Sequence, residues 1–208
     1  VQEGPETAWT EVGMIDEHDF LTLTAGPKSL LQRYSIDAEE LWSFPRAISQ
    51  TNAPPEFLNH DQALVLVEDG DTLVGLDSQT GHAMWSAGLG LNIIHQARSQ
   101  LCFDHEAVYA VNEGILRCFR FSDGGLQWEV FLGDSKIPWR VEKHGRFLTL
   151  YPQRNDGESL FPLFFCDAET GEFVQKMRLS GSGTIEVHLT SAVTLVCTDN
   201  QVPALSAI

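Results

Sequence analysis

Basic residues are scarce in this chain. Its 208 residues hold 13 Lys and Arg against 29 Asp and Glu, a formal net charge of −16. A surface of that sign repels nucleic-acid phosphate and anionic lipid headgroups. No Lys/Arg cluster offers a local exception, so neither nucleic acid nor direct membrane insertion is expected. Long apolar runs are missing as well. The runs present are short, rich in Val, Leu, Phe and Thr, and cut by Gly, Asp and Asn turns, and no 3.6-residue stripe lasts beyond about two turns, which excludes a helical solenoid. No two of the four cysteines, Cys102, Cys118, Cys166 and Cys197, are adjacent, and there is no C-x-x-C. Four cysteines allow three pairings if oxidised; free buried thiols and a bridge between two sheets both remain open. Nucleophile-elbow, zinc-protease, P-loop and dinucleotide fingerprints are absent, so no catalytic residue and no cofactor is assigned. The first residues, VQEGPETAWTE, are polar and lack an initiator Met. They read as a processed or excised end, and a missing targeting segment therefore excludes no compartment.

What is present is a repeat. Leu64–Gly88 contains an apolar strand, an Asp69-Gly70 turn, a second strand, a turn reading DSQTG and a third strand carrying Trp85. The pattern returns with a fixed spacing: Trp42, Trp85 and Trp128 stand 43 residues apart. Phe20–Leu23, Ala63–Leu66 and Glu106–Tyr109 follow the same register, and Phe147–Leu150 opens a fourth copy that ends in DAETGEFVQK, with Gln175 where the Trp belongs. Extra residues in this copy fit the loop Pro152–Ser159. A fifth copy begins at Ala192–Val196. Four short strands in a period of about 40–45 residues make a β-propeller blade.

The expected fold is therefore all-β, with four to five four-stranded antiparallel blades belonging to a seven- or eight-bladed ring. The units span approximately residues 16–58, 59–102, 103–143 and 144–189, with a partial fifth at 190–208. Within each unit the strand after the histidine (Phe20–Thr24, Ala63–Val67, Ala107–Val111, Phe147–Tyr151) is read as innermost. Asn92–Ala97 and Ile185–Leu189 are read as outermost strands. Asp77, Thr80 and Gly81, like Asp167, Thr170 and Gly171, have turn duties. The carboxylate accepts backbone N–H groups across the turn, and glycine adopts positive φ without steric cost. Trp42, Trp85 and Trp128 are the structural marks of the repeat, and Trp85 should lie flat between adjacent sheets, where its apolar area is best buried.

Two features suggest a site. His18, His60, His105, His144 and His188 each precede an apolar strand of the repeat. A ring of imidazoles at a channel mouth would bind a metal or ligand, or titrate together between about pH 6 and 7; as ordinary residues of polar turns they would do neither. The run Asp16, Glu17, His18, Asp19 offers oxygen ligands for a divalent cation or is a solvated loop. Arg117, Arg120 and Arg140 are scattered and read as surface or partner-binding residues.

The motif Leu76-Asp77-Ser78-Gln79-Thr80-Gly81-His82-Ala83-Met84-Trp85, with its first half repeated at Asp167–Gly171, resembles the quinoprotein-type, or PQQ-like, propeller repeat; its four-stranded unit is also WD40-like. The resemblance implies a propeller with one of two kinds of function. One branch comprises dehydrogenases that hold pyrroloquinoline quinone and calcium in the central channel. They use adjacent cysteines and a Glu/Asn/Asp calcium set that match no positions here. The other branch is non-enzymatic and includes a lipoprotein that assists outer-membrane barrel assembly. The resemblance thus implies a non-catalytic interaction or assembly propeller, periplasmic or otherwise extracytoplasmic. The incomplete blade count is expected to mean a segment of a larger protein; a ring completed by another chain or a second copy, and a small ring closed by the N-terminal strand, are the other arrangements. The alternatives are part of a PQQ-dependent dehydrogenase and a ligand- or metal-sensing propeller.

Overall fold

The computed structural model describes residues 8–14, 18–25, 29–46, 57–60, 63–68, 72–89, 100–133, 139–152, 154–155, 160–180, 183–189, 194–198 and 201–206. Among these none is helical. They form twenty strands in five four-stranded sheets. The first holds β1 (Ala8–Met14), β2 (Asp19–Ala25), β3 (Ser29–Ser35) and β4 (Glu40–Arg46). The second holds β5 (Phe57–His60), β6 (Ala63–Glu68), β7 (Thr72–Asp77) and β8 (Ala83–Gly88). The third holds β9 (Gln100–Phe103), β10 (Ala107–Asn112), β11 (Ile115–Arg120) and β12 (Leu126–Phe131). The fourth joins β13 (Trp139–His144), β14 (Phe147–Pro152), β16 (Leu160–Asp167) and β17 (Phe173–Ser180). The fifth joins β18 (Gly183–Leu189), β19 (Thr194–Thr198) and β20 (Gln201–Ser206), with the two-residue β15 (Arg154–Asn155) on the free edge of β18. Every pairing is antiparallel.

The expected strand grouping needs a correction of phase. Each sheet begins one strand earlier than the sequence units, so the strands expected to be innermost (β2, β6, β10, β14) are second in order. Ile185–Leu189, expected as the outer strand of the fourth unit, instead pairs with β19, from Ile185 with Thr198 to Leu189 with Thr194. The cause is the short connection between them, which favours pairing of consecutive strands. The expected outer strand Asn92–Ala97 lies outside the described residues.

Burial follows strand order. All six residues of β10 and the central four of β7 are buried, because these interior strands are covered on both faces; hence their continuous apolar runs AVYAVN and TLVGLD. The edge strand β8 alternates, burying only Trp85. Four sheets share a β-bulge at one place, where pairing shifts between Arg33 and Tyr34, Gly75 and Leu76, Cys118 and Phe119, and Phe165 and Cys166. The extra residue on the edge strand is the one before the Trp position: Leu41, Met84, Gln127 or Val174. A bulge kinks and twists its strand. It turns Trp42, Trp85 and Trp128 inward and leaves Leu41, Met84 and Val174 exposed.

The chain divides into two compact units, residues 1–96 with 121–125, and residues 97–120 with 126–208. In the first, Leu21, Leu31, Trp42, Val74 and Leu76 form one buried cluster. In the second, Tyr109, Val111, Leu116, Cys118, Trp139, Leu148, Leu150 and Cys166 pack together with Trp128, Phe164 and Phe173 against them. Tyr151, Phe161, Leu163 and Phe165 form a further cluster there. Cys102, Cys118 and Cys166 are free; the side chain of Cys197 lies outside the described residues.

Candidate functional site

The polar groups of interest gather where the first strand of a sheet turns into the second and the third into the fourth. The turn after β7 is built by Asp77. Its Oδ1 accepts the N–H groups of Gln79 at 3.0 Å and Thr80 at 2.8 Å and the Thr80 hydroxyl at 2.9 Å. These donors, the Thr80 N–H foremost, hold the carboxyl below the usual carboxylate range. Gly81 follows at φ +70° and donates its N–H to the Asp77 carbonyl at 2.8 Å. Asp167 repeats the arrangement, accepting from Glu169 and Thr170. Its pKa is lowered chiefly by the Arg146 guanidinium at 2.6 Å.

These turns seat tryptophans. A Cβ added to Gly81 would stand 2.6 Å from the Trp42 ring, one on Gly124 2.5 Å from Trp85, and one on Gly171 2.6 Å from Trp128. Trp42 Nε1 donates to the Ser78 carbonyl at 2.8 Å and Trp85 Nε1 to the Phe121 carbonyl at 2.9 Å. Trp128 Nε1 is buried without a partner among the described residues. Each of the three indoles thus lies against the glycine of a neighbouring turn. Two substitutions in the pattern are informative. Arg120 occupies the Asp77 position of the third sheet, where Asp123 instead accepts from Gly125 at 2.9 Å. Arg33 lies opposite Trp42, where it pairs with Asp19 and donates Nη1 to the Ser78 carbonyl at 2.6 Å.

The histidines recur at equivalent points. His18 precedes β2, His60 ends β5, His105 lies in the β9–β10 turn, His144 ends β13, and His188 is in β18. The side chains of His60 and His188, and those of Asp16 and Glu17, lie outside the described residues. The His105 side chain is 75% exposed, 3.5 Å from Glu106; His144 Nε2 is 3.4 Å from Glu142. Each of these two thus meets a carboxylate of its own turn or strand. Among the described residues no group of three or more His, Cys, Asp or Glu is arranged to hold a metal ion.

Around the same turns Asp104 accepts from the N–H groups of Glu106 and Ala107, both at 2.8 Å, from Lys143 Nζ at 2.8 Å and from the Tyr109 hydroxyl at 3.4 Å. Burial alone would raise its pKa. Lys143 and the two backbone donors outweigh burial and hold it below the usual range. Burial pushes the thiols of Cys102, Cys118 and Cys166 up to about 12, so they are neutral and poorly nucleophilic near pH 7. Tyr151 is raised by burial and by its 2.5 Å hydrogen bond to Glu142.

The three arginines divide. Arg140 and Arg120 are exposed, whereas Arg117, read from sequence as a surface or partner-binding residue, is buried, with Nε 3.1 Å from Glu129. The reason is its strand: β11 is covered on both faces. Its apolar neighbours Leu116, Cys118 and Phe119, and Glu129 twelve residues on, were the available signals.

Bulged, four-stranded antiparallel sheets whose indoles rest on neighbouring turns define the chain as a β-propeller fold. No protein-family model matches the chain, and no curated protein matches it. Among solved structures it is similar to BamB from Moraxella catarrhalis, at 13% identity over 94% of this chain and 84% of that one, with a TM-score of 0.51. It is also similar to the Pan2 WD40 domain of Neurospora crassa, at 12% identity over 96% of this chain and 60% of that one, with a TM-score of 0.60. The computationally designed Ika4 protein matches at 13% identity, 82% and 98% coverage and a TM-score of 0.58. At these identities the likeness is one of fold.

Proposed function

We propose that this chain is a non-catalytic interaction or assembly propeller and a segment of a larger, extracytoplasmic protein. The observation that carries the reading is how the turn chemistry is used. Asp77, Asp104, Asp123 and Asp167 are each engaged by donors of the turns they build, and the described thiols are neutral. What remains outward is contact surface: bulge and edge residues Leu41, Met84, Leu126, Val174 and Phe131, the last 69% exposed. Apolar side chains on sheet edges, set in an acidic surface, suit a protein partner or further blades. The propeller neighbours fit a protein-contact role in general terms, and the PQQ-like repeat motif supports an extracytoplasmic setting.

The test pairs native with denatured mass spectrometry on the protein from its source, with quinone and calcium reconstitution alongside. A defined protein complex, or a denatured mass well above 23.1 kDa, with no dye-linked alcohol oxidation, is expected. Oxidation appearing on reconstitution would overturn the proposal in favour of the dehydrogenase reading. Phe131→Glu and Met84→Glu should weaken a complex while leaving the melting midpoint unchanged.

A further inference from the structure

The glycine that receives an indole has a counterpart in the first sheet that is not glycine. Ala38 stands 43 residues before Gly81, as Gly81 stands 43 before Gly124. All four turn residues share the left-handed conformation: φ is +63° at Ala38, +70° at Gly81, +69° at Gly124 and +73° at Gly171. The turn closes in its own way, with Ser35 N–H donating to the Glu39 carbonyl and Ala38 N–H to the Ser35 carbonyl, both at 2.9 Å. The backbone of the seat is therefore preserved while its floor carries a methyl group. In the other three turns a Cβ would come within 2.5–2.6 Å of the seated ring, closer than any real contact. Burial agrees: the three glycines are buried and Ala38 is exposed.

We infer that Ala38 is a stop in the series of tryptophan seats. Its methyl bars an indole from the first sheet's turn, so this face meets any neighbouring sheet, from this protein or from a second copy, without a tryptophan knob. At the other end of the series Gln175 occupies the Trp position of the fourth sheet, and no indole leaves from it. Seated indoles are therefore found at three turns, those of Gly81, Gly124 and Gly171, and the series is bounded in sequence by Ala38 and Gln175. The left-handed backbone at Ala38 is retained at a steric cost that glycine would not incur. Ala38 thus keeps the shape of the turn while removing its seat.

The test uses asparagine, which tolerates positive φ and is larger than alanine. In Ala38→Asn the near-ultraviolet circular dichroism bands of the indoles should match the wild type, and the melting midpoint should hold within about 2 °C. The matched Gly124→Asn should lose band intensity as Trp85 is displaced. Ala38→Gly, which adds no bulk, should raise the midpoint by about 1–3 °C with unchanged bands. Altered bands in either Ala38 variant, or failure of Ala38→Asn to fold, would mean that an indole already lies on this turn and would overturn the inference.

Discussion

The turns that follow β7 and β11 do the same job with different side chains. Both place a glycine near φ +70° beneath an indole, and both offer a carbonyl, of Ser78 or Phe121, to the indole N–H. The first is wrapped by Asp77 and Thr80. The second has Arg120 in the aspartate position, and there the Gly125 N–H donates to the Asp123 carboxylate. The seat is thus a property of the backbone. The Asp/Thr pair reinforces it without creating it, and the motif detects well-braced seats while missing plain ones.

This comparison breaks most severely at the ring itself. Trp85→Ala should cost about 3–5 kcal/mol in a urea melt; a loss under about 1 kcal/mol would mean that the Gly124 seat carries little of the packing. Trp128→Ala should cost less, since Trp128 is only partly buried and its N–H has no acceptor among the described residues. Gly81→Ala and Gly124→Ala should each lose at least about 2 kcal/mol, from the left-handed backbone and collision with the ring. Equal losses at the two sites would show that the seat is indifferent to its bracing. Asp77→Ala should lower the thermal midpoint by less than Gly81→Ala does, and Arg120→Asp should raise it slightly by supplying the missing brace. A large loss from Asp77→Ala would reverse the ranking of backbone over side chain.

The smallest effect concerns pH. Asp77, Asp104 and Asp167 have folded pKa values below their ordinary one. Just below the ordinary value of about 3.9, the unfolded chain takes up protons that the folded chain refuses. Their stabilisation is complete above that pH and is lost as pH falls through the lowered values. Acid titration of the melting midpoint should show this fall, and Asp104→Asn should flatten it. An unchanged acid limb in that variant would show that Lys143 does not depress Asp104.

Much of this was legible in the chain itself. The 43-residue spacing of Trp42, Trp85 and Trp128 marks the repeat, and the Gly81 and Gly171 turns announce their positive φ. The origin of the repeat was not legible, because a cycle of four similar strands has no marked first member; the strand pairings, β18 with β19 among them, show where each sheet starts. Ala38 was hidden because alanine carries no turn signal, and its conformation is imposed by the strands on either side. Arg117 was misread because residue type outweighed the apolar strand around it.

The short strand Arg154–Asn155 has a consequence for how neighbouring sheets are joined. It belongs by sequence to the connection between β14 and β16 of the fourth sheet, yet it pairs with Gly183 and Thr184 at the edge of the fifth. The fifth sheet therefore takes its fourth strand from a connection within the fourth, and main-chain bonds tie the two sheets together. Amides of β15 should lose hydrogen-exchange protection whenever β18 opens.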